Sequence, residues 1–198
     1  RAVSGTASLG LDKDGNFIAL WVDACIDAGA YLSRRTKGLL NNMGGVAGQY
    51  KTPAIATQMS FFFTNTMQTS PYRGFGRPEA TYVIERLIDQ AAREIGRDAL
   101  ALRQQNLVSP DAMPYQTALT FLYDCGDFPR IVAAAAKNAD YAGFAERRKD
   151  SESRGLLRGI GIANPIEVAG GPLKQVRKDI ARITVRPDGQ IVITPGLM

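Results

Sequence analysis

Within the first 22 residues, a segment in which apolar or small side chains alternate with polar ones is separated by a polar break from a second, apolar segment. The alternation covers residues 3–11, an apolar run covers residues 17–22, and Asp14-Gly15 lies between them. Asp-Gly between two such segments favours a tight turn, because the turn needs positive φ angles that these residues tolerate. The pattern therefore predicts a β-hairpin at the start of the chain.

The next part of the chain changes from a Gly- and Asn-rich stretch to an aromatic one. Residues 29–48 predict a long excursion with a short helix at 37–43. Residues 59–67 contain three consecutive phenylalanines, Phe61 to Phe63, and predict a buried strand whose aromatic side chains belong to the core. Met43 and Met59 are expected to fill space in that core.

A long amphipathic helix is the clearest element of the sequence. Pro78 suits its first position, because the N–H that proline lacks would have no helical partner there. Gly96 is expected to end the helix, and Asp98 to cap a second helix that runs to about Asn106. The apolar face of the first helix consists of Ile84, Leu87, Ile88, Ala91 and Ile95.

The C-terminal third predicts two more helices, at 128–137 and 140–149, followed by a polar linker at 150–154. Three strands are predicted after the linker. Two of them, at 179–186 and 191–194, flank a turn at Asp188-Gly189 and form a hairpin, and the third covers 159–163.

Together these elements predict an α+β fold in which antiparallel β-hairpins, within a mixed sheet, pack against the long helix at 78–95. A second, smaller lobe is expected to begin at about Gly155.

Composition excludes several classes of protein. The 198 residues are 45% hydrophobic, which is enough for a sizeable core, and no apolar run approaches the roughly 20 residues of a membrane span. The net charge of +5 is spread along the chain rather than gathered on one stripe, so a nucleic-acid partner is not expected. The absence of His and the wide spacing of Cys25 and Cys125 predict no protein-held metal, and two buried thiols in a reducing, cytoplasmic setting.

The Gly-rich loop before the long helix is the candidate for chemistry. A loop of this kind, at 71–77, can present unpaired N–H groups and the positive end of the helix dipole to an electron-rich ligand. Arg73 and Arg77 flank that point. The segment is neither a dinucleotide-binding fingerprint nor a P-loop, and a purely structural tight turn is an equally good interpretation of the pattern alone.

Three segments carry a resemblance to a known family. They are PYRGFGRPEA at 71–80, IERLID at 84–89 and ALRQQNL at 101–107. Together they resemble a signature of the molybdopterin-binding large subunits of the xanthine dehydrogenase and aldehyde oxidase family, and of aerobic carbon monoxide dehydrogenase large subunits in particular. The resemblance extends to 14–15, 27–31, 48–53, 159–162 and 186–189, and so covers nearly the whole chain.

The resemblance implies an oxidoreductase whose molybdenum is held by a pterin rather than by protein side chains. Tyr72, Arg73 and Gly74 are then expected to contact the cofactor, with Arg73 as an electrostatic stabiliser rather than a base. Phe75 matches an aromatic residue that borders the substrate pocket.

Two departures from the family pattern narrow these expectations. Relatives that oxidise carbon monoxide have a Cys where this chain has Gly74, so an aldehyde or an N-heterocycle is the expected substrate. The family's catalytic Gly-Val-Gly-Glu segment and its Gly-rich segment with a cofactor-binding Gln are absent from these residues. With the missing initiator Met and the end of the chain just after a strand, this suggests a fragment of a longer subunit, inactive alone, with no cofactor bound to the fragment itself.

Further expectations follow from the family. The parent enzyme would pair with an iron-sulfur small subunit and a flavin medium subunit, and would use the cytosine dinucleotide form of molybdopterin. Residues 1–154 would belong to the first molybdopterin-binding domain and 155–198 to the start of the second. The alternative is a stand-alone, non-catalytic module that binds an anion or a partner through Arg73 and Arg77.

Other acidic residues favour structural roles. Asp23 and Asp27 lie four residues apart near a strand end and a Gly turn, which indicates surface or capping positions. Glu167 follows an apolar run, and no second carboxylate or His is placed beside it by the sequence.

Overall fold

The computed structural model describes residues 3–32, 42–70, 72–167 and 180–195. The chain divides into two compact units, Arg1–Ile166 and Glu167–Met198. The first unit contains the mixed sheet, the helices and the hydrophobic core, whereas the described residues 180–195 of the second form a hairpin. The short helix predicted at 37–43 lies largely outside the described residues.

A three-stranded mixed sheet forms one layer of the first unit. Strand β1 (Val3–Leu11) pairs antiparallel with β2 (Phe17–Gly29), and β2 pairs parallel with β3 (Ala54–Phe63). The first hairpin is therefore confirmed, and Gly15 has the positive φ of 86° that its turn requires. The parallel pairing needs a long crossover between β2 and β3, which the excursion after Gly29 supplies.

The long amphipathic helix, α1 (Arg77–Glu94), forms the second layer and packs on the sheet and on α2 (Ala99–Asn106). Both predicted helix ends are confirmed: Gly96 has a φ of 65°, and the Asp98 carboxylate accepts a hydrogen bond of 2.8 Å from Ala101 N. Within the described ranges, no helix is both long enough and apolar enough to cross a bilayer.

The core lies between these layers. It joins the inward side chains of β2, the buried face of α1 and the end of α2. Its members include Phe17, Leu20, Val22, Val46, Tyr50, Ile84, Ile88, Leu102, Leu107 and Val108. Met43 is buried among them and Met59 packs against them, as the sequence predicts.

Two sequence expectations about burial are wrong. Cys25 and Cys125 are exposed rather than buried. Cys25 lies on the outer face of β2, where alternate side chains point away from the core. Phe62 and Phe63 are 53% and 66% exposed, because they end β3, which is the edge strand of the sheet.

The C-terminal part of the first unit contains a short hairpin, β4 (Tyr115–Gln116) and β5 (Leu122–Tyr123), and two helices, α3 (Phe128–Asn138) and α4 (Phe144–Ser153). The last helix begins four residues later than predicted and includes most of the expected linker at 150–154.

Ion pairs between residues one helical turn apart explain why the polar segment is helical. Arg148 Nε lies 2.9 Å from Glu152 Oε1, and Arg154 Nη2 lies 2.6 Å from Asp150 Oδ2. Such i, i+4 pairs stabilise a helix whose residues have little apolar surface to bury.

The strand predicted at 159–163 is not formed, and no residue of this segment has a strand partner in the part of the chain that the structure describes. Side chains of the first unit hold the segment instead. Arg103 Nη2 donates to Ile162 O at 3.2 Å, Asn164 Nδ2 donates to Tyr50 Oη at 3.1 Å, and Gln49 Nε2 donates to Pro165 O at 3.0 Å. We call residues 159–166 the strap. The smaller unit accordingly begins at Glu167 rather than near Gly155.

The second unit contains the predicted C-terminal hairpin, β6 (Ala181–Val185) paired antiparallel with β7 (Ile191–Pro195). Gly189 occupies its turn with a φ of 85°. Ile183 opposes Ile193 in the register, so one face of the hairpin is apolar and exposed.

Candidate functional site

The loop between β3 and α1 is a compact double turn. Phe75 N donates to Tyr72 O at 2.9 Å, and Arg77 N donates to Gly74 O at 3.1 Å. Positive φ angles occur at Gly74 (90°), Phe75 (32°) and Gly76 (100°). We call residues 72–76 the site loop.

Glycine is required at Gly74 for two reasons. Its φ lies in a region that side chains strongly disfavour, and a Cβ there would lie 2.9 Å from Pro78 Cδ. The ring of Pro78 is held by the first turn of α1, so it cannot easily move away. Any side chain at this position would therefore open the loop.

The N-terminus of α1 is closed by its own residues. Gly76 N donates to Glu79 Oε2 at 3.0 Å, which places a carboxylate at the positive end of the helix. The amides of Phe75, Gly76 and Arg77 are thus all hydrogen-bonded, and Pro78 has none. The expectation that this loop presents unpaired helix N–H groups is therefore wrong for these residues. At these positions the N-terminus of α1 lacks the free amides that would bind an anion.

Among the described residues of the site loop, the hydrogen-bond donors without an acceptor lie before Phe75 and include those of Arg73 and Gly74. Arg73 is exposed, and its guanidinium has no hydrogen-bond or ion-pair partner among the described residues. Within the same ranges, the amides of Arg73 and Gly74 also have no acceptor. The neighbouring Tyr72 is 85% exposed. This edge can donate several hydrogen bonds, and one positive charge, to an electron-rich group.

The middle of the site loop is fixed from another part of the fold. Asn42 Nδ2 donates a 2.7 Å hydrogen bond to Phe75 O. Asn42 precedes a buried 3-10 helix, Gly44–Ala47, which packs against α1. Phe75 itself is half-buried. Sequence reasoning missed Asn42, because a contact between residues 33 positions apart has no local signal.

The predicted site residues therefore fall into two groups. Tyr72 and Arg73 are exposed in the site loop, whereas Gly74 and Phe75 beside them are half-buried. Arg77 lies in the first turn of α1 and is also half-buried, so it does not form an exposed basic pair with Arg73.

A second polar cluster is buried beneath α1 and α2. Arg103 is fully buried, and its Nε and Nη2 lie 2.9 Å from Glu85 Oε2 and Asp89 Oδ1. Tyr50 Oη donates to Glu85 Oε1 at 2.7 Å. Burial, together with the charge of Glu85, raises the pKa of Tyr50 far above its usual value. Burial alone would lower the pKa of Arg103, but Glu85 and Asp89 outweigh it and raise that pKa.

This cluster has a structural role. Arg103 also donates to Ala99 O and Ile162 O, and Asn164 reaches Tyr50, so the cluster connects α1, α2 and the strap. The buried groups of Tyr50, Glu85 and Arg103 bond to one another or to backbone carbonyls, which favours this structural role over ligand binding.

The sequence of residues 1–107, which contains the sheet, the site loop, α1 and α2, matches the family model of the molybdopterin cofactor-binding domain. The chain belongs to this family. The resemblance to large subunits of the xanthine dehydrogenase and aldehyde oxidase family, drawn from the site loop and the two helices, is confirmed.

Individual relatives agree with this assignment. The chain is 30% identical, over 96% of its length, to the carbon monoxide dehydrogenase large chain of Afipia carboxidovorans, and covers 26% of that protein. It is 28% identical, over 93% of its length, to the gamma subunit of the 6-hydroxypseudooxynicotine dehydrogenase complex of Paenarthrobacter nicotinovorans, and covers 24% of it. The chain thus spans about a quarter of the length of these relatives, which are subunits of larger enzymes by name.

Solved structures show the same fold. Quinoline 2-oxidoreductase from Pseudomonas putida 86 superimposes on the whole chain with a TM-score of 0.84 at 25% identity, and the match covers 27% of that protein. The CO dehydrogenase of Oligotropha carboxidovorans superimposes with a TM-score of 0.80 at 28% identity, again over the whole chain and 27% of the other protein. The predicted α+β class is confirmed.

Proposed function

We propose that this chain is part of the large subunit of a molybdenum hydroxylase and forms one wall of its molybdopterin site. The observation that carries the proposal is the exposed edge of the site loop. It combines the Arg73 guanidinium with two amides that have no acceptor in the described structure, and it lies inside the region that matches the cofactor-binding family.

The residues of the site loop suit a large, electron-rich cofactor. The amides of Arg73 and Gly74 can donate to its oxygen or sulfur atoms, and Tyr72 can pack along it or donate from its hydroxyl. When bound, a molybdenum-pterin supplies the oxygen insertion and the two-electron redox chemistry. This chain supplies shape, hydrogen bonds and a fixed charge.

Arg73 acts as an electrostatic stabiliser in this proposal. A guanidinium remains protonated at any physiological pH, so it cannot accept a proton from the substrate. Its charge would instead stabilise negative charge that develops on the substrate in the transition state. Phe75 lies next to Arg73 and Gly74 and borders the substrate, which favours a flat or apolar molecule.

An aldehyde or an N-heterocycle is the proposed substrate class. Two arguments support the choice of these over carbon monoxide. The family resemblance implies that Gly74 stands where carbon monoxide-oxidising members carry a Cys, and the contact of a Cβ with Pro78 makes any side chain at this position costly. Among the relatives are a nicotine 6-hydroxylase large subunit and a quinoline 2-oxidoreductase, whose substrates are N-heterocycles by name.

The remaining parts of the proposal concern the parent enzyme. We propose that it is a cytoplasmic enzyme, that it uses the cytosine dinucleotide form of the pterin, and that it passes electrons to an iron-sulfur small subunit and a flavin medium subunit. Residues 1–154 would belong to its first molybdopterin-binding domain and 155–198 to the start of the second. These 198 residues alone would be inactive.

A stand-alone anion-binding module has less support. It would rely on the helix N-terminus and on a pair of exposed arginines. Glu79 occupies the former with a carboxylate, and Arg77 is half-buried.

The test is the molybdenum content and turnover of the complete gene product, expressed with a molybdopterin supply. Arg73→Ala should leave the metal content near the wild-type value, while kcat/KM with an aldehyde or N-heterocycle falls by about 10²- to 10³-fold. Arg93→Ala is the matched control. Arg93 is an exposed arginine near the other end of α1, roughly 24 Å along the helix axis from its start, and should behave as wild type.

Two results would count against the proposal. A complete gene product without molybdenum would refute the cofactor assignment, and a fully active Arg73→Ala variant would remove Arg73 from the site.

A further inference from the structure

The chain leaving β3 crosses the end of β2 before it enters the site loop. Three backbone hydrogen bonds make this crossing: Thr64 N to Gly29 O at 3.1 Å, Ala30 N to Thr66 O at 3.1 Å, and Thr69 N to Ala28 O at 3.3 Å. Residues 64–69 are thereby aligned on residues 28–30. We call residues 64–69 the entry segment.

The Asp27 side chain is the centre of this crossing. Its Oδ1 accepts hydrogen bonds from Thr64 Oγ1 at 2.6 Å and from Gly29 N at 2.8 Å, and its Oδ2 accepts one from Thr66 Oγ1 at 3.2 Å. The bonds from Thr64 and Gly29 lower the pKa of Asp27, so the group is ionised at neutral pH. Hydrogen bonds to a carboxylate are shorter and stronger than those between neutral groups.

The two segments are also in close contact at the backbone. Gly29 has a φ of 72°, and a Cβ on it would collide with the carbonyl of Met67. Such an approach is possible only at glycine. The entry segment is therefore held against the end of β2 by this approach, by the three backbone hydrogen bonds and by the Asp27 side chain.

Few residues separate this crossing from the exposed donors. Thr69 precedes Tyr72 by three positions, which span at most about 10 Å. The far end of the site loop is held by the Glu79 cap, and its middle by Asn42. The crossing, to which Asp27 contributes its side chain, holds the remaining end, the one nearest Arg73.

We propose that Asp27 is a positioning residue: its hydrogen bonds to Thr64, Thr66 and Gly29 set the position of Arg73 and Gly74 against the cofactor and substrate. This inference rests on the proposed function, because a position for Arg73 matters only if Arg73 faces a reacting group. A displacement of about 1 Å at such a group can change a rate by up to about 100-fold.

The first experiment measures hydrogen exchange over residues 64–76 in the complete gene product. Asp27→Ala should speed exchange there by about tenfold or more, since it removes all three acceptor contacts. Asp27→Asn should stay within about threefold of wild type, because its amide oxygen can still accept from Thr64 and Gly29.

Asp23→Ala is the matched control for this exchange. Asp23 lies four residues earlier on the same outer face of β2, and its carboxylate has no hydrogen bond to any described residue, so its removal should leave exchange unchanged. Unchanged exchange over 64–76 in Asp27→Ala would overturn the proposal.

The second experiment separates position from stability. Asp27→Ala should lower kcat by about tenfold or more, with little change in Tm and with rescue by Asp27→Asn. An Asp27→Ala enzyme that exchanges fast but keeps its kcat would show that the anchor does not position the site loop for catalysis.

The proposed function and this inference fail in different ways. Wild-type protein without molybdenum would refute the function, while exchange would still report whether Asp27 anchors the loop. Wild-type protein with molybdenum and turnover, beside an Asp27→Ala variant identical to it, would refute the inference alone.

A second variant removes the hydroxyl donors to Asp27 instead of the carboxylate, and it tests the proposal if Asp27→Ala fails to fold. Thr64→Val with Thr66→Val keeps the side-chain shape and removes both hydroxyl donors. It should speed exchange and lower kcat in the same direction as Asp27→Ala, and adding Asp27→Ala to it should have much less than an additive effect. Wild-type exchange in the double-valine variant would overturn the proposal.

Discussion

Replacement of Arg103 by Met is the sharpest test of how the first unit is held together. The guanidinium is fully buried, and it lies 2.9 Å from both the Glu85 and the Asp89 carboxylates. It also donates to three backbone carbonyls, those of Glu85, Ala99 and Ile162. Methionine has a similar length and can fill the space, so the perturbation is mainly electrostatic.

The expected loss of unfolding free energy follows from the partners that Glu85 and Asp89 keep once the guanidinium is removed. Glu85 is 5% exposed and would keep only Tyr50 as a donor within the described cluster. A buried charge left without its partner typically costs about 3–5 kcal/mol, and Asp89 would add less because it is partly exposed. Domains of this size are stable by only about 5–15 kcal/mol. Arg103→Met should therefore remove a large fraction of the free energy of unfolding of the first unit.

The assay is urea denaturation of the 198-residue chain, with Arg93→Met as a control that should change the free energy of unfolding by less than about 0.5 kcal/mol. Combining Arg103→Met with Glu85→Gln should recover part of the loss, because the unpaired charge is then removed. Hydrogen exchange in the strap should also increase, since Ile162 O loses its donor. A loss below about 1 kcal/mol for Arg103→Met would refute this reasoning.

Two further predictions concern the loop and the tyrosines. Gly74→Ala should cost more unfolding free energy in the urea assay than Gly96→Ala, because both have positive φ but only Gly74 would press on Pro78; equal losses would contradict the contact. Burial raises the pKa of Tyr50 and of Tyr123 in the folded chain, so both stay protonated where the unfolded chain ionises. Their contribution to stability is complete below about pH 10 and falls above it, by about 1.4 kcal/mol per pH unit for each tyrosine. A free energy of unfolding that does not change from pH 8 to 11.5 would contradict this prediction.

The parts of the fold that sequence reasoning predicts are those whose signals are local. The turn at Asp14-Gly15, the apolar stripe of α1 and the Asp98 cap each depend on residues within a few positions of one another. The turn and the cap are confirmed, and so is the stripe except at Ile95, which is 46% exposed beyond the end of the helix. The polar segment of α4 is the instructive exception. Its composition is typical of a linker, but its charges are spaced one helical turn apart, and composition alone does not register spacing.

The missed features depend on partners distant in sequence. Asn164 lies 114 positions from Tyr50, and Ile162 lies 59 positions from Arg103, so nothing near 159–163 indicates that side chains rather than a strand would hold it. An apolar run such as this one satisfies the pattern for a strand, yet the pattern does not specify which groups take the backbone hydrogen bonds.

The candidate site shows the same division between local and distant signals. The sequence locates the loop and its Arg73, but it also suggests donors at the helix N-terminus, which Glu79 and the internal turns have already used. Once those amides are committed, the backbone donors that remain in the described part of the loop include those of Arg73 and Gly74, at its earlier edge. The position of that edge depends on how the chain arrives from β3. Asp27, which governs the arrival, is therefore as important to the chemistry of the site as the glycines that made the loop recognisable.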